Sequence, residues 1–182
     1  MTVGICGAGT MGRGIAIAAL QASHAVILFD IAEAPLDKAK ANITGQLDKA
    51  VEKGKMSAAE RDLAVDRTTF TTDLDELAVC DVVIEAVAER LDIKHDLFTR
   101  LEALVRADAI LASNTSSISI ASLARPLQHQ HRFVGLHFFN PAHIMKLVEV
   151  IKGPRTSDAT VVWCVEFAKG LGKTPVVAKD VP

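Results

Sequence analysis

Little in this sequence points to a polyanion, a bilayer or a disulfide framework. Lys and Arg number 20 against 22 Asp and Glu, a net charge of −2, so there is no basic field of the kind nucleic acids and anionic membranes require. No apolar run reaches the roughly 20 residues of a membrane-spanning helix. The N-terminus passes straight into TVGICGAG, without the basic and apolar regions of a signal peptide. Cysteine is scarce: Cys6, Cys80 and Cys164 are odd in number and lie in GICGA, AVCDV and VWCVE, with no metal-ligand spacing. They read as buried, reduced thiols of a cytoplasmic protein, a reactive cysteine being the less favoured reading, and no metal site is expected. Repeats, low-complexity tracts and linkers are also missing. The 182 residues therefore suit one domain with a sizeable core.

What the chain does contain is an alternation of short apolar runs with longer helix-period segments, the pattern of an α/β fold with a mainly parallel sheet. Strands are expected at 2–6, 24–30, 67–70, 81–87, 109–114, 132–138 and 145–151, with a last strand or extended segment at 174–180. Helices are expected at 10–23, 33–54, 57–65 with Ser57 as its cap, 91–106, and from Ser157 to about Gly170. The chain reaches KDVP in extended form, which reads as a domain boundary.

GAGTMG runs from Gly7 through Ala8, Gly9, Thr10 and Met11 to Gly12, between the first strand and the first helix. In that setting each glycine has a physical task. Gly7 permits a tight turn, Gly9 lets a pyrophosphate approach the backbone, and Gly12 lets helix pack on strand. The helix start adds free N–H groups and partial positive charge for the phosphates. Asp30 closes the second strand 18 residues after Gly12, where a carboxylate accepts hydrogen bonds from an adenosine ribose and repels a 2′-phosphate. The cofactor expected is NAD rather than NADP.

Three further places carry polar groups at what would be the carboxyl edge of the sheet. Glu85, Glu89 and Lys94 lie in IEAVAERLDIK; on spacing alone they also fit a solvated ion pair at a helix start. SNTSSIS, residues 113–119, fits either a helix cap or a surface facing a polar substrate. HFFNPAHIMKLVEV places His137 and Glu149 either side of a reversal at Asn140-Pro141, which would bring the two side by side. Alternation puts Leu147, Glu149 and Ile151 on one face, and a carboxylate there is costly unless paired. A base held by a carboxylate suits removal of an alcohol proton; a hydrogen-bonded core pair fits the residues equally well. The other histidines, His24, His95, His129, His131 and His143, are expected at the surface.

Through GAGTMGRGIA, IEAVAERLDIK, ASNTSSISI, GLHFFNPAHIMKLVEVI and GKTPVVAKDVP, the chain resembles the NAD-binding domain of the 3-hydroxyacyl-CoA dehydrogenase family over nearly its whole length. The resemblance implies a Rossmann-type, doubly wound sheet with flanking helices and NAD-dependent oxidation of a (3S)-3-hydroxyacyl-CoA to the 3-oxoacyl-CoA. It implies that His137 is the base and Glu149 its partner, that Ser116 contacts the substrate oxygen near the nicotinamide, and that Asn140 helps place substrate and cofactor. Glu89 and Lys94 would contact the dinucleotide, and Lys53 matches a position that contacts the CoA nucleotide. Family members continue past KDVP into a helical domain that joins homodimers and closes over substrate. Two rivals are a dehydrogenase of free 3-hydroxy acids and a non-catalytic NAD-binding module.

Overall fold

The computed structural model describes residues 1–180. One eight-stranded sheet runs in the order β3-β2-β1-β4-β5-β6-β7-β8. Its strands are β1 Thr2–Cys6, β2 Ala25–Phe29, β3 Thr68–Thr71, β4 Val82–Glu85, β5 Ile110–Ser113, β6 Phe133–Phe138, β7 Leu147–Lys152 and β8 Thr174–Lys179. All neighbours are parallel except β6 and β7, which are antiparallel. The helices are α1 Thr10–Gln21, α2 Glu33–Glu52, α3 Ala58–Asp66, α4 Leu91–Leu104, α5 Ile120–Leu123 and α6 Asp158–Gly170. This is the doubly wound α/β fold, and the order reverses between β1 and β4, where such sheets open a ligand crevice.

The central strands are covered on both sides. VVIE of β4 and ILAS of β5 are buried at every position, which is why they read as continuous apolar runs rather than alternating ones. One face packs against α1, α2 and α6 through residues such as Ile5, Ile15, Leu47, Val150 and Phe167. The other packs against α4 and α5 through Phe98, Leu101, Phe133 and Ile120. Each fully buried aliphatic side chain contributes about 1.5–3 kcal/mol.

The expected elements are present, with local differences. β3 lies one residue later than expected, and 3-10 helices at Leu74–Val79 and Gln130–Arg132 were not anticipated. α1 ends at Gln21 because Ser23 turns left-handed (φ 65°), with His24 N–H donating to Ala19 O at 3.0 Å. Ser57 does cap α3: its hydroxyl accepts from Glu60 N–H at 3.2 Å while the Glu60 carboxylate accepts from Ser57 N–H at 2.8 Å. Cys6, Cys80 and Cys164 are free and buried. Burial pushes the Cys80 and Cys164 thiols up to about 12 and raises Cys6 as well, so none has thiolate character. The expectation of five surface histidines needs correcting. His129 and His131 are exposed, but His24 is half-buried against Phe167, His95 is half-buried with Nε2 2.8 Å from Ser122 O, and His143 is half-buried.

Candidate active site

The glycine-rich turn is shaped by contacts that leave no room for side chains. Gly7 has φ 104° and donates to Phe29 O at 2.8 Å; a β-carbon there would come within 2.5 Å of Ala86 O. A β-carbon on Gly12 would lie 1.8 Å from Gly7 O. Gly9, the N-cap of α1, faces open space instead, with no atom within 4 Å of where its β-carbon would stand. No side chain caps α1 and no acidic residue lies in its first turn. Thr10 is exposed and Met11 half-buried at this helix start. Unshielded N–H groups beside an open glycine fit the pyrophosphate of a dinucleotide. Asp30 closes one wall, its Oδ2 accepting from Ala8 N–H at 2.8 Å and its Oδ1 from Ala32 N–H at 3.3 Å. The carboxylate thus braces the turn as well as presenting charge to the cleft. That cleft, about 330 Å³, is otherwise apolar, with Ile31, Val87 and Ile93 among its lining.

At the next strand end the ion pair is buried, not solvated. Lys94 is 1% exposed, and its ammonium lies 3.0 Å from Glu85 Oε1 and 2.5 Å from Glu89 Oε2. Glu85 is fully buried and also accepts from Ser113 Oγ at 2.6 Å and Val87 N–H at 2.8 Å. Burial outweighs the Lys94 charge at Glu85 and raises its carboxyl. Burial also acts upward on Glu89, but the bonds from Lys94 and Thr115 prevail and hold it at about 2. The single ammonium is therefore shared, with Glu89 the firmer carboxylate. Lys94, expected to touch the dinucleotide, is 1% exposed and engaged with both carboxylates. Glu89 is the exposed member of the trio.

Glu89 also organises the loop after β5. It accepts from the Thr115 hydroxyl and from Ser117 Oγ at 3.0 Å. The Thr115 hydroxyl in turn accepts from Ile118 N–H at 3.0 Å, and Thr115 N–H donates to Ser113 Oγ at 3.2 Å. Ser116 is left exposed at the tip. Ser119 caps α5 by accepting from Ser122 N–H at 3.2 Å, so capping and presentation fall to different hydroxyls of one segment.

His137 and Glu149 stand directly opposite in the antiparallel β6–β7 register, with Nδ1 2.8 Å from Oε2. Alternation holds: Val148 and Val150 are fully buried, while Glu149 and Ile151 face a cavity on the other side of the sheet. Asn114 ties the end of β6 to this arrangement, its Oδ1 accepting from Phe138 N–H at 2.8 Å. Ser116, His137 and Glu149 line the same open cavity of about 560 Å³, with Ile118, Ile151 and Ala178 as apolar floor. Asn140 is exposed just beyond β6. Lys53 is exposed at the C-terminal end of α2, about 30 Å along that helix from the carboxyl edge, and the structure does not bring it to this cluster.

Sequence reasoning singled out the 113–119 segment but gave Ser113, Asn114 and Thr115 no individual roles in the site. Their only signal was polarity at a strand end. Among the described residues no group of three His, Cys, Asp or Glu could hold a metal, and no helix is long and apolar enough to cross a membrane.

Residues 2–181 match the family model described as 3-hydroxyacyl-CoA dehydrogenase, NAD binding domain. A 3-hydroxybutyryl-CoA dehydrogenase from Bradyrhizobium diazoefficiens is 42% identical over 99% of this chain and 61% of its own length. The mitochondrial hydroxyacyl-coenzyme A dehydrogenase of Homo sapiens is 43% identical over 99% of this chain and 59% of its own. The crystal structure of 3-hydroxybutyryl-CoA dehydrogenase from Escherichia coli K12 superposes with a TM-score of 0.97 at 41% identity, covering all of this chain and 39% of that one. The chain thus spans less than two thirds of the relatives it matches, and with its glycine turn, Asp30 and eight-stranded sheet it belongs to the NAD-binding domain family of the 3-hydroxyacyl-CoA dehydrogenases.

Proposed function

We propose that this chain provides the dinucleotide site and the acid–base pair for oxidation of a (3S)-3-hydroxyacyl-CoA to the 3-oxoacyl-CoA. The observation that carries the proposal is the His137–Glu149 pair in one cavity with Ser116. A carboxylate only accepts, so Glu149 keeps the imidazole proton on Nδ1 and leaves the Nε2 lone pair free. Nε2 takes the proton of the 3-hydroxyl as its C–H hydride departs, and Glu149 stabilises the imidazolium that results. The Ser116 hydroxyl, in the same cavity, would donate to the oxygen that becomes a carbonyl. Asn140 would help to orient substrate and cofactor from the turn after β6. NAD, when bound, accepts the hydride; Gly7 to Gly12 would hold its pyrophosphate, Asp30 its adenosine ribose and Glu89 its other half, with Lys94 acting through Glu89.

Lys53 as a contact for the CoA nucleotide would require the acyl-CoA to extend along α2. The homodimer of the full-length form would assemble through the helical domain of the family. A reducing, cytoplasmic compartment fits three buried free thiols. The test is NADH formation at its absorbance band with 3-hydroxybutyryl-CoA, beside NADH binding by fluorescence. Turnover supports the enzyme. Binding without turnover, even when the chain is joined to a relative's helical domain, would leave a non-catalytic NAD module.

A further inference from the structure

Lys173 is a buried cation that the proposed reaction does not use. It is 8% exposed, and its ammonium donates to Ala142 O at 2.6 Å and Met145 O at 2.9 Å. No carboxylate forms a salt bridge with it among the described residues. Burying a cation without a counter-charge is unfavourable, so a loop that absorbs it has unusual demands placed on it. Both carbonyls belong to the short turn that reverses the chain between His137 and Glu149. The turn is also tightened internally, with Ile144 and Met145 N–H both donating to Pro141 O at 2.9 Å.

The root of Lys173 is itself rigid. Gly172 adopts φ 70° at the end of α6, and Lys173 N–H donates to Ala168 O at 3.0 Å, a helix stop that aims the side chain back under the turn. On the turn's other side Ala142 rests on α1 at Gly14. A β-carbon on Gly14 would stand 3.0 Å from Ala142 Cβ and 3.2 Å from its N. Gly14 lies beyond the GxGxxG pattern and has no part in the phosphate turn. Its missing side chain serves the approach of the hairpin instead.

We propose that Lys173 is a positioning residue: with Gly14 beneath Ala142, it clamps the 141–145 turn and thereby seats the His137–Glu149 hairpin against the dinucleotide-binding helix. The role rests on the reading above, in which that hairpin carries the base. Hydride transfer depends steeply on the separation of the two reacting groups. Lys173 and Gly14 set it from opposite sides without touching either ligand.

Two variants test this, Lys173→Met and Gly14→Ala, each followed by amide exchange, thermal unfolding and steady-state kinetics with 3-hydroxybutyryl-CoA and NAD. Lys173→Met should speed exchange of the Ile144 and Met145 amides about tenfold or more, leaving α1 protected. Its kcat should fall about tenfold to a hundredfold, with KM for NAD changed by no more than about twofold. Gly14→Ala gains helix propensity but crowds Ala142, so the two effects should largely offset and leave the melting temperature little changed while kcat falls, a combination that a purely structural role does not produce. Unchanged exchange in Lys173→Met removes the clamp. Faster exchange with kcat unchanged in both variants removes the positioning role. If no NADH forms even when the unsubstituted chain is joined to a relative's helical domain, the dehydrogenase reading fails and the positioning role with it, while the exchange experiment still decides whether the clamp exists.

Discussion

A histidine with Nδ1 2.8 Å from a carboxylate is committed to one tautomer, and that commitment is what makes His137 testable apart from folding. A glutamine in its place would keep the shape and a hydrogen bond to Glu149 but could not take a proton. His137→Gln should therefore lower kcat by about 10²- to 10⁴-fold, with NADH affinity held within a few-fold by fluorescence titration. A large loss of NADH affinity would make the histidine structural. Asp30 has a double assignment, since it braces Ala8 N–H at 2.8 Å while facing the cleft. A hydrogen bond to a charged group contributes about 1.5–3 kcal/mol, so Asp30→Ala should weaken NADH about tenfold or more while NADPH weakens less. An unchanged NADH to NADPH ratio would contradict the ribose role. These residues were legible because each sits in a motif whose chemistry is local. Thr115 was not, because its importance lies in a bond to Glu89, 26 positions away.

At the level of elements, the strands and helices follow from apolar runs, caps and turn residues. The His137–Glu149 contact followed from one more step, a reversal at Asn140-Pro141 with alternation beyond it, and the β6–β7 register pairs the two residues as that geometry requires. What escaped were elements with weak local signals. LDELAV of 74–79 is too short for helical periodicity to speak, and the end of α1 is set by Ser23, a residue that seldom takes positive φ. The left-handed conformation disfavours a residue with a β-carbon by roughly 1–2 kcal/mol. Ser23→Gly should accordingly raise stability by about 1 kcal/mol, less the greater chain entropy of glycine when unfolded. A urea midpoint that moves up with unchanged slope would bear this out, and a lower midpoint would mean that the serine hydroxyl contributes more than its backbone strain.

For the molecule as a whole, the question is what joins the dinucleotide half to the half that carries His137. Lys94 of α4 holds Glu85 of β4 and Glu89 of the following loop, and Ser113 of β5 closes the cluster. Nothing in the sequence marked this as buried, because an acid ending an apolar strand and a lysine nine residues later look alike whether wet or dry. Lys94→Met would leave Glu85, fully buried, without its cation, and loss of one partner of a buried pair costs about 3–5 kcal/mol at neutral pH. The pH dependence then separates charge from packing. Burial already raises the Glu85 carboxyl, and without Lys94 it rises further above its unfolded value. A carboxyl raised in the folded state binds protons more tightly folded than unfolded, so stability increases as pH falls from the raised value toward the unfolded one. The intact protein has the opposite trend at Glu89, held at about 2, whose contribution is full above the unfolded carboxyl value and lost as pH falls toward about 2. Urea midpoints at pH 7 and pH 5 should thus show Lys94→Met recovering part of its deficit at the lower pH. A deficit that stays constant or widens on acidification would mean that the lysine acts through its packed stem, and the cluster would no longer serve as the electrostatic link between the two halves.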